Sequence, residues 1–74
     1  MEKHLDRITV IDGLMGGKPT IRGNRFCVTD VLEMFQSGMT ATEILKAHPV
    51  LEKEDIDACL YYAIDQVNKM RYGN

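Results

Sequence analysis

The chain has 74 residues, a mass of 8.4 kDa and 45% apolar and 27% charged residues. Those values predict one globular domain over residues 1–74 and exclude a multidomain enzyme, a disordered chain and a coiled coil. A chain this short buries only about 60% of the surface its unfolded form exposes, so self-association is the expected source of added stability.

Ile8-Thr9-Val10-Ile11 is a short β-branched run closed by the turn pair Asp12-Gly13. Lys18-Pro19-Thr20-Ile21-Arg22 and Arg25-Phe26-Cys27-Val28 flank Gly23-Asn24, a two-residue loop that predicts a β-hairpin. In that register Arg22 faces Arg25 and Thr20 faces Cys27. Alternation then puts Pro19, Ile21, Phe26 and Val28 on a core face, and Lys18, Thr20, Arg22, Arg25 and Cys27 on a basic one.

Three helices are expected after residue 28. Asp30 and Glu33 read as a capping box opening a helix of about ten residues that ends at Ser37-Gly38. Thr40 and Glu43 form a better box for a short helix that Pro49 stops. Leu51 and Ile56 are placed as a hydrophobic staple around Glu52. From there Ile56, Cys59, Leu60, Ala63, Ile64, Val67 and Met70 keep one helical stripe. The fold class is α+β: a short N-terminal β-hairpin region (1–28) packed on a three-helix unit of the helix-turn-helix type (29–74).

Charge is unevenly distributed. Residues 1–29 hold five cations against three acids, and the rest hold four cations against eight acids, an asymmetry that points to a partner surface. Lys18, Arg22 and Arg25 are the candidate nucleic-acid-binding residues, because a two-stranded basic ribbon fits the major groove and like charges facing each other are costly without an anion. The alternative is a solvated face on which Arg22 or Arg25 pairs with the protein's own acidic helix. The first turn of the last helix carries Glu52, Glu54, Asp55 and Asp57 against Lys53, which disfavours DNA there. These acids are a candidate surface for a basic protein partner, or only a complement to the helix dipole. Tyr61 and Tyr62 join that surface as part-buried aromatics, with core closure as the plainer role.

Catalysis is not expected. Gly13-Leu14-Met15-Gly16-Gly17-Lys18-Pro19 fails as a phosphate loop, since the required first glycine falls on Asp12 and the required hydroxyl on Pro19. Cys27 and Cys59 lie 32 positions apart and read as reduced, buried thiols. His4 and His48 have no second ligand nearby, so neither a metal nor a cofactor is expected. The sequence has neither an apolar run long enough to span a membrane nor a signal peptide, and a cytoplasmic location follows as the expectation.

The string Gly16-Gly17-Lys18-Pro19-x-Ile21-Arg22-Gly23-x-Arg25, with Val28, Asp30-Val31-Leu32, Gly38-Met39-Thr40, Ile44-Leu45, Pro49-x-Leu51 and Glu54-Asp55-Ile56-x-Ala58, resembles the bacterial and archaeal family called domain of unknown function 433. The likeness runs over nearly the whole chain. Asn24, Phe26-Cys27 and Glu52 depart from the family's commoner Thr, Ile-Pro and capping Thr or Ser. The resemblance implies a homeodomain-like form for the three-helix unit and an antitoxin-like (VapB-type) regulator of a type II toxin-antitoxin module. Such a protein binds a cognate PIN-like ribonuclease toxin and operator DNA; the alternative is a protein-interaction module without DNA affinity. A homodimer is expected, on the grounds of the small core, the need of the Ile8 to Ile11 strand for a partner edge, and the tyrosines beside the last helix.

Overall fold

A computed structural model describes residues 4–71 and has the expected α+β class. Strands β1 (Ile8–Thr9) and β2 (Thr20–Ile21) form a two-stranded antiparallel sheet, followed by helices α1 (Val28–Gln36), α2 (Ala41–Ala47) and α3 (Lys53–Arg71). Single 3-10 turns at Leu5–Arg7 and Met15–Gly17 precede β1 and lie within the β1–β2 connection. The partner edge that β1 needs is therefore β2, with Ile8 opposite Ile21 and Thr9 opposite Thr20.

The hairpin departs from its predicted register at the turn. Thr20 does face Cys27, the Ile21 N–H donates to Phe26 O at 2.9 Å, and the Val28 N–H donates to Pro19 O at 3.0 Å. The central turn residues, however, are Arg22 and Gly23, at φ 51° and 71°, and the Asn24 N–H closes on Ile21 O at 2.9 Å. Two successive positive φ values make the primed turn that suits a twisted ribbon. Arg22 thus leaves the ladder and does not face Arg25. The presumed basic face is not solvated throughout either: Thr20, between Thr9 of β1 and Cys27, is fully buried and Cys27 nearly so. The Thr20 hydroxyl is satisfied at 3.1 Å from Thr9 Oγ1 and 3.2 Å from Thr9 O.

Helix α1 starts earlier than its acids suggest. Cys27 is the N-cap and Asp30 the third helical residue, whose carboxylate accepts the Cys27 N–H at 2.8 Å. At the other end Gly38, at φ 103°, permits the paired closure in which its N–H reaches Phe35 O and the Met39 N–H reaches Met34 O. Helix α2 keeps the predicted box: Thr40 Oγ1 accepts from the Glu43 N–H at 3.2 Å and Glu43 accepts from the Thr40 N–H at 2.8 Å. Ile21, Val28, Val31, Ile44, Leu51, Ile56 and Cys59 form the core. Leu51 and Ile56 both lie inside it, as a staple requires.

The stripe on α3 is core only over its first half. Ile56 and Cys59 are buried, whereas Leu60, Ile64, Val67 and Met70 are 41%, 57%, 57% and 82% exposed. The cause is length. At 1.5 Å per residue the 19 residues of α3 span about 28 Å, about twice the reach of α1 and nearly three times that of α2, and the shorter helices cannot cover its C-terminal half.

Candidate functional site

The buried carboxylate of Asp55 organises the polar side of the fold. It sits at the third position of α3, where it accepts the Glu52 N–H at 2.8 Å and so supplies half a capping box. Arg22 grips it with two nitrogens, Nε at 3.0 and 3.2 Å and Nη2 at 2.8 Å, and Nη2 also donates to Val50 O at 2.8 Å. Arg7 closes the cluster, with Nη1 2.9 Å from Asp55 Oδ1 and 2.7 Å from Glu52 Oε1. Asp55 is fully buried, while the Arg22 and Arg7 side chains are 34% and 25% exposed.

Burial by itself pushes the Asp55 carboxyl up, but the hydrogen bonds from Arg22, the Glu52 N–H and Arg7 outweigh it and hold the group below its ordinary value. The Arg7 guanidinium is raised by its bonds to Glu52 and Asp55, and that of Arg22 by its bond to Asp55. Among the described residues no buried side-chain nitrogen or oxygen lacks a partner. The cluster joins the turn preceding β1, the hairpin turn and the start of α3 through one carboxylate.

This geometry separates the basic trio. Arg22 pairs with the protein's own acidic helix, one of the two readings its sequence left open. Lys18 and Arg25 are exposed and make no ion pair among the described residues. Arg25 borders an open groove over Phe26 and Met34, with Asp30, Glu33 and His48 on its rim; the Phe26 and His48 rings meet edge to face at 5.1 Å. The acidic group divides likewise. Glu52 and Asp55 belong to the arginine cluster, whereas Glu54 and Asp57 are half-buried and have no ion pair among the described residues. Tyr62 packs against the core, and Tyr61 lies on the outer face of α3. Arg7 is the participant the sequence reading missed. It stands 48 positions from Asp55, and no local pattern connects the two.

A model of the family described as "Protein of unknown function (DUF433)" matches residues 8–63. The chain belongs to this family. The match takes in β1, Arg22, the whole of α1 and α2 and the buried half of α3. A crystal structure of a DUF433 member from Anabaena variabilis is similar at 27% identity and a TM-score of 0.78, over 90% of this chain and 66% of that one. The DUF433 chain described here therefore spans just under two thirds of that relative. No curated protein is detectably similar.

Neither cysteine is placed to act as a nucleophile. Both are free and buried, and burial, with the nearby Asp55 charge, pushes the Cys59 thiol up to about 12. Iodoacetamide should leave both thiols unmodified in the native protein and modify both in denaturant. Rapid native labelling of Cys59, followed by mass spectrometry, would show that the α1–α3 contact opens readily.

Proposed function

We propose that this DUF433 chain is a non-enzymatic interaction module of the antitoxin type, a subunit that works by contact with other proteins. The observation that carries the reading is the uncovered apolar face of α3, where Leu60, Tyr61, Ile64 and Val67 stand exposed on adjoining turns of one helix. A soluble chain this small gains by covering such a face in its working assembly. The PIN-like ribonuclease implied by the family resemblance is the proposed protein partner, approached through Glu54 and Asp57. Complementary charge there speeds encounter, and apolar anchors hold the complex.

DNA contact is the second reading, favoured by the exposed pair Lys18 and Arg25. Without Arg22 a dimer offers about four phosphate contacts, and the logarithm of DNA affinity should fall with that of salt at a slope no steeper than about −4.

The test titrates a PIN-like ribonuclease encoded beside the gene with purified protein and follows RNA cleavage. Stoichiometric inhibition is expected, and Glu54→Lys with Asp57→Lys should slow association about tenfold at low salt while leaving the helical circular dichroism unchanged. Undiminished cleavage at equimolar protein would remove the antitoxin reading.

A further inference from the structure

Helix α1 carries Asp30, Glu33, Met34 and Ser37 at three- and four-residue steps, which places them on one face. With Arg25, Phe26 and His48 they line an open groove of about 470 Å³, a size in the range of ligand sites. Its floor is fixed, because Phe26 and Met34 pack against the core and His48 meets Phe26 edge to face at 5.1 Å. Its polar groups are uncommitted. Arg25 and Glu33 make no ion pair among the described residues, although both border the same hollow. Asp30 accepts the Cys27 N–H on Oδ2 and keeps Oδ1 for another donor. Ser37 Oγ donates to Met34 O at 2.8 Å and still has its own lone pairs to offer.

Charge and shape select the occupant. Two carboxylates against one guanidinium leave the groove net negative, so a phosphate chain is repelled and a cation is drawn in. The floor of Phe26 and Met34 matches the aliphatic stem of a lysine or arginine, whose charged head then meets Asp30 and Glu33. Such a side chain alone leaves Arg25 unanswered, and a carboxylate on the same ligand completes the match. From Asp30 to Ser37 is about 10 Å along the helix axis, the span of about three residues of extended chain. A groove open along its length suits a segment of polypeptide running through it, whereas a free metabolite needs most of its surface enclosed.

We propose that this groove is a peptide-docking site, which takes an extended segment of another protein carrying a lysine or arginine with an aspartate or glutamate within about three positions of it. The cation lies at Asp30 and Glu33, the stem across Phe26 and Met34, and the carboxylate at Arg25. None of the lining residues belongs to α3, so the chain can hold this segment and a protein on the apolar face of α3 together.

Backbone amide NMR of the full chain, titrated with acetylated and amidated alanine-based hexapeptides, tests the site. Each probe carries one arginine and one aspartate, set one to three positions apart in either order. At least one should move the Phe26, Glu33 and Ser37 amides saturably, with a Kd below about 1 mM. Citrulline in place of its arginine keeps the shape without the charge and should weaken binding about tenfold. Glu33→Lys, at an exposed position, should do the same with its helical circular dichroism unchanged. The double variant Arg25→Glu with Glu33→Lys should prefer the peptide in which arginine and aspartate have changed places, a preference that a merely structural role of either residue would not produce. Absence of any saturable shift, shifts confined to α3, or equal binding of the citrulline peptide would overturn the site. If a DNA duplex moves these amides instead and Arg25→Glu abolishes that shift, the rim belongs to DNA and the peptide assignment fails. Free arginine binding as tightly as the best peptide would make this a small-molecule site and end the docking role. Ribonuclease inhibition enters none of these measurements, so the groove and the antitoxin reading stand or fall separately.

Discussion

Arg22→Ala should destabilise the protein by about 3 kcal/mol, the low end of the cost of breaking a buried ion pair. The discount reflects a guanidinium that is 34% exposed and a carboxylate that still has Arg7 and the Glu52 N–H. Three hydrogen bonds to Asp55 and one to Val50 O disappear together, leaving a fully buried carboxylate short of partners. In a domain whose core supplies roughly 3–5 kcal/mol, this loss unfolds much of the population at 25 °C. Arg22→Lys should recover only part of it, because an ammonium cannot reproduce the two-nitrogen grip. Arg22→Gly should be milder than alanine, since glycine relieves the positive φ of 51°. Arg25→Ala should stay within about 0.5 kcal/mol of the native protein, as an exposed substitution does. Urea denaturation followed by circular dichroism measures all four, and equal midpoints for Arg22→Ala and Arg25→Ala would mean that the cluster does not hold the hairpin to α3.

What could be read in the sequence and what could not divide along the distance over which each cause acts. Thr40 and Glu43, Ser37-Gly38, and Leu51 with Ile56 are signals complete within six residues, and each appears in the structure where its spacing puts it. Asp30 carries a local signal with two readings. As an N-cap it would start α1 after residue 30, but the Val28 N–H bond to Pro19 O fixes the chain earlier, and the carboxylate reaches back to Cys27 instead. The turn lies one residue earlier than its local signal, Gly23-Asn24, for a tertiary reason. Asn24 is better suited than Arg22 to a left-handed conformation, whose cost for an L-residue is about 1–2 kcal/mol. At Arg22 that cost is offset by Asp55, 33 positions away.

The candidate site shows the same limit. Lys18, Arg22 and Arg25 do not share one basic face, because Thr20 and Cys27 between them are buried and Arg22 leaves the ladder at the turn to meet Asp55. The apolar period of α3 was correct as a pattern, yet a pattern does not say what covers it. Among the described residues no neighbouring element is long enough to cover its C-terminal half, so residues that read as core form an exposed face.

Asp55→Asn should cost about 2–4 kcal/mol at pH 7, and the cost should shrink as the solution is acidified. The neutral figure follows from exchanging charge-assisted hydrogen bonds, each worth about 1.5–3 kcal/mol, for weaker neutral ones while both arginines keep partial access to water. The pH dependence follows from the direction of the shift. Asp55 in the folded protein titrates below the ordinary 3.8 of an unfolded chain, so between those two values the unfolded state binds the proton that the folded state does not. Its stabilising contribution is thus full above about pH 5, begins to fall as the pH drops through 3.8, and is lost once the pH passes below the depressed folded value. The asparagine variant has no such group. Its stability should decline less steeply on acidification, and the gap between the two denaturation curves should narrow as the pH falls from 5 to 2. Carboxylates common to both proteins, Glu52 among them, cancel in the difference to the extent that they do not couple to Asp55. Urea midpoints of the pair at pH 7, 5, 4, 3 and 2 measure the gap directly. A gap as wide at pH 2 as at pH 7 would show that the ion pairs contribute little, and that Asp55 acts there only as a neutral cap for α3.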